Sequence, residues 1–122
     1  MTNEITLAKV ELKLDLEAAG LKVLDYVTER IVPPIVIVNA RTPYLAVSSL
    51  SGEYLLNVEL VLIAATATNK QSTEKLDELL ADVANALPGY ARMLPTGAPY
   101  NLQTNNAEYL AVNVPLELEI TI

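Results

Sequence analysis

A serine and a lysine stand three residues apart in the segment Ser72–Lys75. At the start of a helix this spacing lets a neutral lysine activate the serine hydroxyl, as it does in penicillin-recognising enzymes. Those enzymes also need Ser-Asp-Asn and Lys-Thr-Gly elements, and neither occurs in this sequence. We therefore predict a helix-capping Ser72 followed by a solvated Lys75, and no serine nucleophile.

Two carboxylates, Glu117 and Glu119, stand two residues apart in a predicted strand and so project from one face of it. The strand rise separates them by roughly 6.6 to 7 Å, and an inverting glycosidase holds its acid and base at such a distance. The sequence has no tryptophan on which a sugar could stack, and no nearby element would desolvate one of the two acids. We therefore predict a solvated or pore-facing strand here rather than a catalytic pair.

Histidine and cysteine are both absent from the 122 residues. Their absence removes disulfides, the usual zinc ligands and every Ser-His or Cys-His catalytic pair. The sequence also lacks an Asp-rich calcium loop and a glycine-rich phosphate loop, because its four glycines fall at predicted ends of elements. We expect no enzyme activity, no cofactor and no metal.

Composition predicts one packed domain that leaves part of its apolar surface exposed after folding. Hydrophobic residues make up 52% of the chain and charged residues 19%, and a chain of this length supports one core. The mean hydropathy of +0.31 is high for a small domain, so we expect part of the apolar surface to be covered in contacts between subunits. The net charge of -7 disfavours general attraction to nucleic acid or anionic lipid. Partners are expected to be proteins, and no export signal or membrane span is predicted.

The first predicted element is a helix over residues 4–19, which contain no Gly or Pro and are followed by Gly20. A half-buried strand is the alternative, because apolar and charged residues alternate over residues 10–16. A helix would carry two apolar stripes, and one could contact the sheet and the other a neighbour. The stripes are Ala8, Leu12, Leu16 and Ala19, and beside them Leu7, Val10, Leu14 and Leu21.

The remaining pattern predicts strands around one further helix. A short strand is predicted in 21–27, a strand at 35–38, a loop at 39–43 and a long hairpin with arms 44–50 and 53–65. Apolar residues on both faces of the second arm predict that its far end is covered on both sides. A helix follows Ser72 or Thr73, with its apolar face formed by Leu76, Leu79, Leu80, Val83 and Leu87.

The C-terminal part predicts an irregular connection over 90–99 and a closing hairpin with arms 100–104 and 107–122. Pro115 in the last arm indicates an edge strand or a bulge. The fold class is therefore α+β: a single domain with a mostly antiparallel or mixed sheet of about four to five strands, a long hairpin, and two helices packed on one face.

Seven residues are candidates for contacts with other subunits or partners. Tyrosines in or beside the hairpins suit interfaces because their rings bridge apolar and wet surroundings. Two arginines flank the proline-bounded strand on an otherwise acidic chain, and two apolar residues lie on the second face of the hairpin. The seven are Arg30, Arg41, Tyr44, Tyr54, Val61, Ile63 and Tyr109.

The order and spacing of several segments, which together span nearly the whole chain, resemble the pattern of a known protein family. The segments are 26–38 with the pair Pro33-Pro34, then Pro43-Tyr44-Leu45, the strand 56–63, the Asn69 loop, the helix 74–87 with Leu76-Asp77-Glu78-Leu79-Leu80, and Asn106–Ala111 before a final strand. In order, spacing and total length they resemble the tail terminator, or tail completion, proteins of long-tailed bacteriophages. Each segment alone is only a hydrophobic pattern with a few prolines.

The resemblance implies one tail-terminator-like domain over residues 1–122 with a structural role. Members of that family form rings, commonly hexamers, which cap the finished tail tube, end its polymerisation and offer a surface for joining the head. The implied partners are further copies of the chain, the major tail tube protein and a head-tail connector or head completion protein. The implied location is the virion, at the head-tail junction, after assembly in the host cytoplasm.

DNA would pass through the bore of such a ring without specific binding, and acids lining the bore would repel its phosphates. Glu117 and Glu119 are the candidates for these bore-facing acids. Two alternatives stay open. One is another head-tail connector, completion or tail tube protein. The other is a small ligand-binding module, which requires a concave polar pocket.

Overall fold

The elements are taken from a computed structural model, which describes residues 3–24, 33–48, 52–65, 70–103 and 108–121. These ranges contain two helices and six strands, and each helix is followed by three strands. In chain order they are α1 (Glu4–Ala18), β1 (Val23–Leu24), β2 (Ile35–Val47), β3 (Glu53–Ala65), α2 (Lys70–Ala86), β4 (Ala91–Met93), β5 (Tyr100–Gln103) and β6 (Glu108–Thr121).

The six strands form one mixed sheet in the order β1-β2-β3-β6-β4, and β5 pairs with a different part of β6. β1 runs parallel to β2, and every other pairing is antiparallel. β2 and β3 form the predicted long hairpin, and Gly52 in its turn has a φ of 87°. The predicted α+β class, with a long hairpin and both helices on one face, is confirmed.

The first helix is confirmed, and the strand alternative for the same residues is wrong. Its N-cap is Asn3, whose Oδ1 accepts a hydrogen bond of 2.8 Å from the backbone N–H of Thr6. Its end is set by Gly20, which has a φ of 91° that residues with a Cβ rarely adopt. The cap and the stop outweigh the alternation of apolar and charged residues.

The main core lies between the two helices and one face of the sheet. Alternate residues of β3 and β6 point into it, as expected for strands with one face buried. Each helix adds three buried residues: Ala8, Leu12 and Leu16 from α1, and Leu76, Leu79 and Val83 from α2. The apolar face predicted for α2 is therefore correct at these three positions, and Leu80 is only partly buried against the same core.

A smaller apolar cluster lies on the opposite face of the sheet, which we call the helix-free face. Its buried members are Ile35, Ile37, Val61, Ile63, Tyr109 and Ala111. They come from the ends of β2, β3 and β6 that lie farthest from the turn of the long hairpin, where the three strands are neighbours in the sheet. We call this the upper end of the sheet and the end at the hairpin turn its lower end. This arrangement confirms that the far end of the long hairpin is buried on both faces.

The loop predicted at residues 39–43 is wrong, because β2 continues through it as a strand. The pairing shifts between Ala40 and Leu45, so that residues 41–44 of β2 lie opposite the single residue Asn57 of β3. The buried Asn57 side chain donates a hydrogen bond of 2.6 Å from Nδ2 to the carbonyl of Pro43. Its Oδ1 accepts one of 3.0 Å from Nη2 of Arg41. A side chain thus replaces the missing ladder bonds across the irregular stretch.

Two predictions near α2 also need correction. The helix begins at Lys70, so Ser72 lies within its first turn rather than at the N-cap, and its side chain is buried while Lys75 is exposed. The connection predicted over 90–99 contains the short strand β4, which pairs with Leu116–Leu118 of β6. Three residues are too few for an alternation pattern to signal a strand.

The edge predicted at Pro115 is confirmed locally, whereas the alternative of a bulge is not: β6 as a whole lies between β3 on one side and β4 and β5 on the other, but no strand pairs with its outer side at Pro115. Pro115 falls between the residues of β6 that pair with β5 and those that pair with β4. Its carbonyl accepts a hydrogen bond of 2.9 Å from the N–H of Leu94. The missing N–H of the proline therefore lies where one partner strand has ended and the next has not begun.

Candidate interaction surfaces

The outward face of α1 carries an apolar stripe that the chain does not cover. Leu7, Val10 and Leu14 are 37%, 41% and 57% exposed, and we call these three residues the outer stripe. At 100° per residue they lie roughly 170° around the helix from the buried Ala8, Leu12 and Leu16. The helix therefore presents apolar side chains both to the sheet and away from it.

The two sides of the outer stripe carry charges of opposite sign. Glu4, Glu11 and Asp15 are exposed and lie along one side of it by their helical spacing. The two lysines of α1, Lys9 and Lys13, lie on the other side of the helix. The Nζ of Lys9 stands 5.5 Å from the centre of the Tyr44 ring, within the range of a cation–π contact. One border of the outer stripe is thus acidic.

A groove continues the outer stripe toward the lower end of the sheet. It has a volume of about 280 Å³, and we call it the Tyr90 groove. It is lined by Glu4, Leu7, Ala8, Glu11, Tyr90, Glu119, Ile120 and Thr121. A second recess of about 390 Å³ shares the last four of these residues and extends to the turn of the long hairpin at Ser48, Glu53 and Tyr54.

Tyr90 connects α1 to the segment before β4. Its hydroxyl donates a hydrogen bond of 2.6 Å to Oδ2 of Asp15. Burial raises the pKa of Tyr90 above its usual range, and the bond to Asp15 and the negative charges of Asp15 and Glu11 raise it further. The neutral hydroxyl of Tyr90 is therefore strongly favoured.

The helix-free face is acidic in its lower half. The register places Glu117 beside Asn57, Glu119 beside Leu55, Glu59 beside Pro115 and Glu53 beside Thr121, and paired residues share a face. The two predicted carboxylates therefore do project from one face, together with Glu53 and Glu59, which the sequence reasoning missed. Combining the alternation of β3 with that of β6 would have found them.

Two arginines lie among these acids. Nη1 of Arg92, on β4, is 3.8 Å from Oε1 of Glu117, and since the arginine side chain is 79% exposed this pair adds little stability. Nη2 of Arg41 reaches across β3 to the carbonyl of Leu116 at 3.5 Å, besides its bond to Asn57. Arg41 therefore connects β2 to both β3 and β6 through hydrogen bonds.

The other predicted contact residues are mostly used inside the chain. Val61, Ile63 and Tyr109 are 7%, 0% and 7% exposed, which leaves almost no side-chain surface for a neighbour. Tyr44 packs against the main core beneath Lys9, and Tyr54 is partly buried beside the hairpin turn. Arg30 lies outside the described residues.

Two further exposed apolar side chains were not among the seven candidates. Val47, at the end of β2, is 68% exposed, and Tyr100, on β5, is 37% exposed. The hydroxyl of Tyr100 donates a hydrogen bond of 2.7 Å to Oδ1 of Asn113, so the ring stays on the helix-free face. Position in a strand pattern alone does not separate these residues from buried ones.

No group of three or more acids in the described ranges is placed to hold a metal ion. Among the same residues, no helix is long and apolar enough to cross a membrane. The chain matches no model of a known protein family and no curated protein.

Proposed function

We propose that the chain is a structural protein of a phage tail, which forms a ring that caps the tail tube, ends its polymerisation and provides a surface for joining the head. The resemblance to tail terminator proteins supports this proposal. The observation that carries it is the outer stripe of α1. Three apolar side chains on a helix that is already anchored to its own sheet are suited to contact another protein.

The energetics favour such a contact. Covering the exposed parts of the three side chains is worth about 1 kcal/mol each. The exposed parts of these side chains do not help the isolated chain to fold, because folding leaves them in contact with water. The stripe is small for a complete interface, which needs about 800 Å² per partner, so the adjoining Tyr90 groove would belong to the same contact.

A ring needs two different patches on each subunit, one for either neighbour. The two edges of the sheet meet this need. Beyond its short pairing with β1, residues 38–47 of β2 have no strand beside them opposite β3 within the described ranges. β4 and β5 form the other edge. Two unlike edges on opposite sides of one sheet suit head-to-tail contacts between copies, in a hexamer or a ring of another size.

The acidic lower half of the helix-free face supports the assignment of a bore. Glu117 and Glu119 share it with Glu53 and Glu59. If this face lines the ring, its four carboxylates outnumber Arg41 and Arg92, so the face repels DNA phosphates and lets DNA pass without specific binding. The chain then has no enzyme activity, and its partners are the major tail tube protein and a connector or head completion protein at the head-tail junction.

The test is deletion of the gene in the phage that carries it. The expected result is tails of uncontrolled length that fail to join heads, visible by electron microscopy. Supplying the wild-type chain in trans should restore tails of normal length, and so should the Glu74→Ala variant, which changes only the polar outer face of α2. Normal virions from the deletion would end the proposal.

A further inference from the structure

We propose that the outer stripe and the Tyr90 groove together bind a segment of a different protein, one that is apolar along one face and carries Lys or Arg beside it. The surface is not a contact between copies of this chain. The inference rests on the proposed function only in that the tail tube or connector protein would supply the segment.

The geometry supports one continuous docking surface. The outer stripe has the spacing i, i+3, i+7, by which a helix presents apolar anchors to a partner. Leu7 belongs both to the stripe and to the lining of the groove. Ala8 and Ile120 extend the apolar part of the groove, and Tyr90 is fixed in it by its bond to Asp15.

The charged residues that line the Tyr90 groove are all acidic, whereas Lys9 and Lys13 lie on the opposite border of the outer stripe. Glu4 and Glu11 line the groove beside the stripe. Glu119 lines the groove from the sheet, but the register places its side chain on the helix-free face, so Glu4 and Glu11 supply the carboxylates next to the stripe. The groove is lined by no lysine or arginine of the described residues. A partner segment with cations beside its apolar face therefore meets carboxylates, which favours both its orientation and its rate of association.

The same charges argue against a second copy as the occupant. The exposed cations of the described ranges are Lys22, Lys75 and Arg92, which are scattered, while Lys9 and Lys13 of α1 are partly buried. Arg92 already pairs with Glu117, and Lys75 lines a recess together with Glu78 and Asp82. A copy with a net charge of -7 would bring acids against acids, and like charges opposed across an interface disfavour binding.

The direct test measures binding of two synthetic helical peptides by fluorescence anisotropy. Both carry leucines at i, i+3 and i+7. One has lysines beside the leucines, and the other has glutamates at the same positions. We expect the lysine peptide to bind the wild-type chain at least tenfold more tightly than the glutamate peptide, and added salt to weaken its binding.

Variants locate the binding. Leu14→Asp and the double change Glu4→Lys with Glu11→Lys should each weaken binding of the lysine peptide at least tenfold. The matched control, Glu74→Lys with Glu78→Lys, makes the same change in net charge on the outer face of α2 and should leave binding within about twofold. Circular dichroism should show that every variant keeps the helical signal of the wild-type chain.

Three results would overturn the inference. The first is equal binding of the two peptides, or no binding of either. The second is an equal loss of lysine-peptide affinity in the control variant. The third is a loss of self-assembly in Leu14→Asp, measured by native mass spectrometry, which would make the stripe a contact between copies. Failure of the proposed function gives a different result, namely normal virions after gene deletion while the lysine peptide still binds through α1.

Discussion

The two helices lie on the same face of the same sheet, but their outward faces differ. Each buries three apolar residues against the sheet, among them Leu12 and Leu76. α2 presents acids to solvent, among them Glu74 and Glu78, as an amphipathic helix on a domain surface should. α1 presents Leu7, Val10 and Leu14 instead.

The difference shows that the fold needs a buried apolar stripe on each helix but does not need the exposed apolar stripe of α1. One buried stripe is enough to hold a helix on a sheet, as α2 demonstrates. The second stripe of α1 has no role in the core, so it adds apolar surface that a solitary domain would do better without. The comparison therefore supports the proposal that the outer stripe contacts other proteins, and the predictions below test that proposal.

The largest effect is expected from the inner faces, where the two helices should behave alike. Leu12→Ala and Leu76→Ala should each lower the free energy of unfolding by about 2 to 5 kcal/mol, because each truncates a fully buried leucine. Urea denaturation measures this loss. A cost below about 1 kcal/mol at Leu12 would mean that α1 is only loosely held.

A smaller effect is expected from the hydrogen bond that ties α1 to the segment before β4. Tyr90→Phe removes the bond to Asp15 and should lower the free energy of unfolding by about 1 kcal/mol. Amide hydrogen exchange should become faster in α1 while α2 keeps its rates. Equal acceleration in both helices would show that the bond supports the whole domain instead.

The same tyrosine predicts a dependence on alkaline pH. The pKa of Tyr90 is raised in the folded chain, mainly by burial, while the unfolded value is near 10. Below pH 10 both states keep the proton and the contribution is constant. As the pH rises past 10, the unfolded chain loses its proton first, so stability is lost until the pH passes the folded pKa. Denaturation at pH 9 and pH 11 should show a larger drop for wild type than for Tyr90→Phe, and equal drops would contradict the prediction.

The smallest effect on folding is expected at the outer stripe. Leu14→Glu should change the free energy of unfolding by no more than about 0.5 kcal/mol, since the side chain is more than half exposed. Glu74→Ala on α2 should change it equally little. A large loss at Leu14 would mean that the stripe serves the fold after all, and the contrast between the helices would disappear.

Much of the architecture follows from sequence periodicity. The helical spacing of Leu76, Leu79 and Val83 reflects one buried face. The alternation of β6 does the same except at its start, where Tyr109 and Ala111 are buried on the other face as well. The irregular stretch of β2 could not be predicted, because Thr42 and Pro43 are turn-forming residues whose strand conformation depends on the distant Asn57. Long-range side-chain bonds of this kind leave no local pattern.

The contact surface was only half predictable. The two stripes of α1 are visible in the sequence. Leu7, Val10 and Leu14 of the second stripe do face away from the core, but Leu21 packs against it. Val61, Ile63 and Tyr109 have the same apolar character but are buried within the chain. The sequence pattern shows which apolar residues are expected to be shielded from water. Only the folded structure shows whether the same chain shields them.

The most direct test of the central claim uses the absence of cysteine from the chain. Leu14→Cys and Glu74→Cys each place a single thiol, one on the outer stripe of α1 and one on the outer face of α2. Maleimide labelling rates are then compared between the free chain and purified tails that contain it. We expect labelling at Leu14→Cys to be at least tenfold slower in tails and labelling at Glu74→Cys to be unchanged, whereas equal rates at Leu14→Cys in both states would contradict the claim.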